Sequence, residues 1–310
     1  MRRAKKTLVY IKGGEISGNR AREGGGISLS NGAKAVLENC TITLCKETIS
    51  SIGGGGMYAN GATVKMTNCT LMGNEAEDSG GGIYTYKGGL TMTSCTLIGN
   101  RARTSGGGMT ISDGIADIKD CSLRGNMAYF TDCAGGAIEL KKSEIGSEVT
   151  ISGGTIGGTG TNDANTTAVD GGGIYVGEDC KLTLKDSAQV IGNMAGVAGG
   201  GVYVSNSGTL EMKDSSCVTL STGGDEDEPG KNDVYLENDA KITVAGELSP
   251  AGGTAARITV ADDQYNSAKQ VLDGDITAGT APNQNYRKFT VTPKSGQNWE
   301  VDENGKLKEL

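Results

Sequence analysis

Gly80-Gly81-Gly82-Ile83-Tyr84-Thr85-Tyr86-Lys87-Gly88-Gly89-Leu90-Thr91-Met92-Thr93-Ser94-Cys95-Thr96-Leu97-Ile98-Gly99-Asn100 is the stretch whose pattern decides the fold. Side chains alternate from Ile83 to Tyr86, break at Lys87-Gly88-Gly89, and alternate again from Leu90 to Ser94. A third extended piece, Cys95 to Asn100, follows. Short runs of period two, punctuated by Gly and Asn, read as strands and turns. No window of the chain carries a sustained 3.6-residue apolar stripe with caps.

The opening of this stretch recurs. A short glycine run followed by an aliphatic residue or Met stands at Gly26-Ile27, Gly56-Met57, Gly82-Ile83, Gly108-Met109, Ala137-Ile138, Gly173-Ile174 and Gly201-Val202, with a degenerate copy at Asp233-Val234. Successive intervals are 30, 26, 26, 29, 36, 28 and 32 residues. Self-similarity at such a period marks a solenoid or array. Three short strands in roughly 26 residues fit one turn of a parallel β-helix, in which each strand pairs with its equivalent about 4.8 Å away. A propeller blade needs four strands in about 40 to 50 residues, and the Leu ladder of a leucine-rich repeat is missing. The fold class is therefore all-β: a parallel β-helix of about eight coils of three short strands.

Aligned in this way, the second strands point Val9 and Ile11, Val64 and Met66, Leu90 and Met92, Ala116 and Ile118, Val149 and Ile151, Leu182 and Leu184, Leu210 and Met212, and Ile242 and Val244 inward. The third strands add Ile16, Leu71, Leu97, Leu123, Ile156 and Val190. Each lands on its own kind one coil away, so apolar burial runs continuously along the axis. With aromatics at only 4%, large ring clusters cannot build this core. The repeat fades after Val244, which divides the chain into a β-helix domain, 1–245, and a small β-rich cap or appended domain, 246–310. A hairpin is expected at Asn304-Gly305, between Trp299–Val301 and Leu307.

A net charge of −8 disfavours nucleic acid and anionic lipid as partners. The basic opening Met1-Arg2-Arg3-Ala4-Lys5-Lys6 precedes an apolar run of only Leu8 to Ile11, too short for the core of an export signal. No stretch is apolar enough for a transmembrane helix. The chain starts in mid-coil, on a second and third strand, and the expectation is that an upstream part of a longer protein, with its signal and cap, precedes Met1.

Five coils carry an aliphatic residue, two spacers and Asn: Ile16–Asn19, Leu71–Asn74, Leu97–Asn100, Leu123–Asn126 and Val190–Asn193, each followed after one residue by Ala. Together with the glycine signature, this resembles the repeat pair of the polymorphic outer-membrane protein family, in which Gly-Gly-Ala-Ile alternates with Phe-x-x-Asn. Here Leu, Ile or Val replaces Phe, and Gly135-Gly136-Ala137-Ile138 keeps the Ala form. The resemblance covers about residues 8 to 245. It implies a right-handed β-helix of the pectin-lyase-like type and a role as a surface-exposed adhesin or autotransporter passenger. Family members end in a membrane barrel, for which residues 246–310 are too short and too poor in aromatics.

The chain contains no His, which removes Ser-His-Asp and Cys-His catalysis and His-based zinc sites. Cys40, Cys69, Cys95 and Cys121 share one register and read as a column of reduced, buried thiols. Cys45, Cys133, Cys180 and Cys217 lie off it. The repeated Asn is expected to turn the chain in a left-handed conformation and to stack its amides coil on coil. The glycine runs lack the Lys-Ser/Thr ending of a phosphate loop. Acidic clusters at Asp225-Glu226-Asp227-Glu228, Asp262-Asp263 and Asp273-Gly274-Asp275 match no calcium loop and read as solvated.

The candidate binding residues are tyrosines. Tyr58, Tyr84, Tyr175, Tyr203 and Tyr235 occupy the outward position after the glycine signature, interrupted by Ser28, Thr110 and Glu139; Tyr86 is the next outward position on its strand. Such rings either stack against sugars or form an outer ladder that stiffens the sheet. The expectation is a non-catalytic, structural or adhesin-like segment of a bacterial surface or secreted protein, with no cofactor and no metal. The alternative is a carbohydrate-binding or pectate-lyase-like carbohydrate-active protein. Partners would be glycans or surface proteins of a host or environment, and the location extracellular or at the cell surface.

Overall fold

The computed structural model describes residues 7–49, 53–219 and 233–310; the basic opening and the acidic run at 225–228 lie outside them. It is a right-handed parallel β-solenoid of about nine turns. The founding stretch forms strands Ile83–Tyr86, Gly89–Thr93 and Thr96–Ile98, as the alternation predicts, followed by Arg101–Ala102. The coil therefore carries four strands rather than three. Two residues are too few to display a period of two, yet the fourth strands pair in register, Glu75↔Arg101↔Met127, and bury Ala76, Ala102 and Ala128.

Among the described residues, stacking the coils gives parallel sheets of 10 first strands, 10 second strands, 8 third strands and 7 fourth strands. Register follows the apolar columns: Leu90 lies between Val64 and Ala116, and Met92 between Met66 and Ile118. One coil escaped the sequence alignment. Lys34–Glu38 and Thr41–Thr43 supply its second and third strands and bury Ala35, Leu37 and Ile42. Three apolar residues in a row, Ala35-Val36-Leu37, hide the alternation there.

The Asn column differs from expectation in its backbone. None of the repeated Asn residues is left-handed; the preceding glycines are, with φ +62° at Gly73, +63° at Gly99 and +63° at Gly125. Glycine makes the turn, and Asn is left to point inward. Asn74, Asn100, Asn126, Asn165 and Asn193 are fully buried. The Asn100 carboxamide oxygen accepts from Asn74 N at 3.0 Å and from Asn74 Nδ2 at 2.9 Å. Its Nδ2 donates to Leu71 O and to Asn126 Oδ1, each at 3.0 Å. Asn165 continues the column, although an insertion before it breaks the sequence spacing. Cys45 takes the slot in an earlier coil, its amide donating to Asn74 Oδ1 at 3.0 Å.

All eight cysteines are buried and free. Cys69 N donates to Cys95 Sγ at 3.5 Å and Cys95 N to Cys121 Sγ at 3.3 Å, so the sulfurs serve as acceptors between coils. Hydrogen bonding to the Cys121 thiol, reinforced by burial, pushes the Cys95 thiol up to about 11. Thiol reactivity requires an accessible thiolate. A chromogenic thiol reagent should therefore titrate essentially no cysteine in the native protein and all eight in denaturant. Rapid native labelling of the Cys69–Cys95–Cys121 column would contradict this packing.

Past residue 245 the ladders continue with altered spacing. Val234–Leu236 pairs with Ala256–Val260, which pairs with Phe289–Val291; Ile242–Val244 pairs with Leu272–Gly274. The chain then reverses in the expected hairpin, Trp299–Val301 against Leu307–Glu309, antiparallel. Phe289, Trp299, Val301 and Leu307 join the core. A hairpin that pairs with itself leaves less unpaired strand edge at that end.

Candidate functional site

The outward column of the first-strand sheet collects the predicted residues. Register places Ser28, Tyr58, Tyr84, Thr110, Glu139, Tyr175, Tyr203, Tyr235 and Thr259 side by side in that order. Tyr86 stands in the next outward column, between Asn60 and Ser112. Its hydroxyl reaches Glu144 at 3.4 Å, and Lys87 Nζ lies 5.0 Å from its ring centroid.

The glycine turn explains why rings fit here. A Cβ on Gly80 would lie 2.9 Å from the Tyr84 Cβ, and one on Gly53 2.9 Å from Tyr84 Cδ2. Bare glycine backbone thus lies against Tyr84. The rings pack on one another: Tyr58 and Tyr84 have centroids 5.8 Å apart, Tyr175 and Tyr203 5.2 Å, and Tyr203 and Tyr235 5.1 Å, all stacked. They are half-buried or buried rather than exposed. Burial pushes the phenols of Tyr84 and Tyr175 up to about 12. The column is therefore two separate stacks whose inner faces are already occupied.

Thr110 and Glu139 separate the stacks. Thr110 Oγ1 donates to the Glu139 carboxylate at 3.0 Å, and both residues are buried. Burial pushes the Glu139 carboxyl above its usual range, opposed by the charge of Lys141. A cleft of about 450 Å³ opens beside it, lined by Glu139, Lys141, Lys142, Ser143, Tyr175 and Glu178. Lys142 is bound to Asp179, whereas Lys141 acts electrostatically on the buried carboxyl. This arrangement can hold a polar ligand between a carboxyl and an ammonium, against the Tyr175 ring.

Two acidic residues of this face were missed in the sequence. Asp170 lies on the glycine turn, bridging Ala134 and Ala198, and burial raises its carboxyl to about 6. Asp233 replaces a turn glycine, accepts from Gly200 N at 2.9 Å, and is raised by burial to about 7. The only sequence signal was an acid flanking the glycine signature. By contrast, Asp273 is ion-paired to Lys241, and Asp275 accepts from Gly246 N. Asp262 is paired with Lys294. Among the described residues no three His, Cys, Asp or Glu are placed to hold a metal ion.

Raised carboxyls have a definite sign in stability. The folded state binds protons that the unfolded state, with ordinary carboxyls near 3.8, has already released. Folding therefore weakens as pH rises from about 4 through 6 to 7 and stays weakened above. Asp170→Asn should unfold at the same denaturant concentration as the parent at pH 4 and at a higher one at pH 8. Equal midpoints at both pH values would show that Asp170 is not raised.

No helix among the described residues is long and apolar enough to cross a membrane. No curated protein and no solved structure matches the chain. The family described as right handed beta helix region matches residues 4–143. With parallel ladders on either side of position 143, the chain is a right-handed parallel β-helix, consistent with the pectin-lyase-like type.

Proposed function

We propose that this chain is a non-catalytic, structural or adhesin-like β-helix segment of a bacterial surface or secreted protein, placed outside the cell or on its surface. A β-helix is in keeping with a surface- or carbohydrate-related protein in general. The observation that carries the finer reading is the packing of the outward tyrosines. A ring that binds a sugar offers its face, and here the inner faces are turned to neighbouring rings 5.1 to 5.8 Å away. The ladder stiffens the sheet through the same contacts. The resemblance of the Asn and glycine repeats to polymorphic outer-membrane proteins points the same way, with glycans or surface proteins as the partners of such a rod.

The second reading, a carbohydrate-binding or carbohydrate-active protein, is favoured by one feature: the buried Glu139 carboxyl beside Lys141 in a cleft floored by Tyr175. A polysaccharide panel separates the two. The expected result is no depolymerisation, and glycan-array signals indifferent to Tyr84→Ala and Tyr203→Ala. Turnover that disappears in Glu139→Gln would replace the scaffold reading with an enzyme. Array binding lost in the tyrosine variants would replace it with a lectin-like one.

A further inference from the structure

The longer ring stack, Tyr175–Tyr203–Tyr235, advances one register step per ring. One step further the column changes from ring to hydroxyl: Tyr235 is followed by Thr259, whose Oγ1 lies 2.6 Å from that of Thr292. The side of Tyr235 away from Tyr203 meets no further stacked ring among the described residues. A cavity of about 520 Å³ opens beside Tyr235 and extends from the Tyr203 coil to the Thr259 coil, lined by Ala198, Tyr235, Thr259, Asp262, Tyr265 and Lys294 among others. It is large enough for a small ring-bearing ligand.

We propose that this slot takes the aromatic ring of a cationic ligand, stacked on Tyr235 as the next ring of the column, with the positive group of the ligand directed to Asp262. Two observations select that chemistry. The hydroxyls of Thr259 and Thr292 are buried and bonded to each other, so the floor has little to offer a sugar that must exchange several hydrogen bonds with water for new ones. An aromatic ring needs none and gains an offset stack. The surroundings are also acidic: Asp170, Glu237, Asp262 and Asp263 all act electrostatically on Tyr235. Among the described residues that line the cavity, the single cation is Lys294, and it is held by Asp262. An incoming ammonium can take over that carboxylate. This site is independent of the scaffold reading, which requires no small ligand.

The test uses the whole chain and its one tryptophan. Trp299 sits edge-on to Tyr265, with centroids 5.6 Å apart, so its fluorescence reports on the cavity wall. Titration with tyramine should give a saturable change. The same ring carrying a carboxylate, 4-hydroxyphenylacetate, should bind at least about tenfold more weakly, and methyl glucoside should be silent. Asp262→Lys, at a side chain 85% exposed, should weaken tyramine by about fivefold or more without disturbing the fold. Tyr235→Ala should remove binding, while Tyr58→Ala, in the other stack, leaves it intact. Absence of saturation, equal affinity for both charges, preference for methyl glucoside, or indifference to Asp262→Lys would each overturn the proposal. Should Tyr235→Ala fail to fold, the ligand-charge comparison and Asp262→Lys decide alone.

Discussion

Asn100→Ala should lower the stability of the protein by about 3 to 5 kcal/mol, although the residue touches no surface. Its carboxamide joins three coils. Removing it strips the acceptor from Asn74 N and from one proton of Asn74 Nδ2, and the donor from Leu71 O and Asn126 Oδ1. No water reaches these groups, and each buried polar atom left without a partner costs about 1 to 3 kcal/mol. Asn126 Oδ1 keeps the backbone donor Asn100 N, at 3.1 Å, which limits the loss. Denaturant unfolding followed by circular dichroism measures the effect, with exposed Thr91→Ala expected within about 0.5 kcal/mol of the parent. A change below about 1 kcal/mol for Asn100→Ala would mean that the amide column does not hold the coils together.

Gly81→Ala should be worse, and the chain is expected to fail to accumulate as a folded protein. A Cβ at this position would lie 2.4 Å from Arg101 O and 2.4 Å from Gly107 O. Both are backbone atoms in adjacent strands or turns, so neither can swing away as a side chain would. Overpacking a core costs about 1 to 3 kcal/mol when neighbours can yield; here they cannot, and the cost should exceed about 3 kcal/mol. Gly89→Ala supplies the contrast. Its nearest neighbour would be Thr63 Cγ2 at 3.8 Å, its φ is ordinary, and Thr63 and Ile115 fill the equivalent slots. That variant should be as stable as the parent or more stable by up to about 1 kcal/mol, because Ala restricts the unfolded chain. Soluble yield and thermal melts of the two variants distinguish them; similar behaviour would refute the close approach at Gly81.

These two positions also show what could be read in advance. The strands were legible because alternation is a property of the chain alone: Leu90 and Met92 point inward whatever lies above them. The column of glycines was legible for the same reason, since its spacing repeats. What escaped depends on neighbours. Arg101–Ala102 is too short to alternate, Asn165 joins the amide column across an insertion, and Asp170 is one acid among many until the coils stack around it. The tyrosines were correctly placed on one outward column, but their mutual stacking depends on distances between coils that no spacing in sequence supplies. The cavity beside Tyr235 is formed where the repeat has already faded.

Because Ile83↔Met109 and Leu90↔Ala116 repeat the pairings Met57↔Ile83 and Val64↔Leu90 after the same 26 residues, the interior offers interchangeable floors. Splicing Gly82 directly to Met109 would remove one storey and set Met109 on Met57, apolar on apolar. Gene duplication or deletion in whole storeys can therefore lengthen or shorten such a tower without redesigning any wall, while extra residues within a storey are taken up at its turns, as where Asn165 rejoins its column across an insertion.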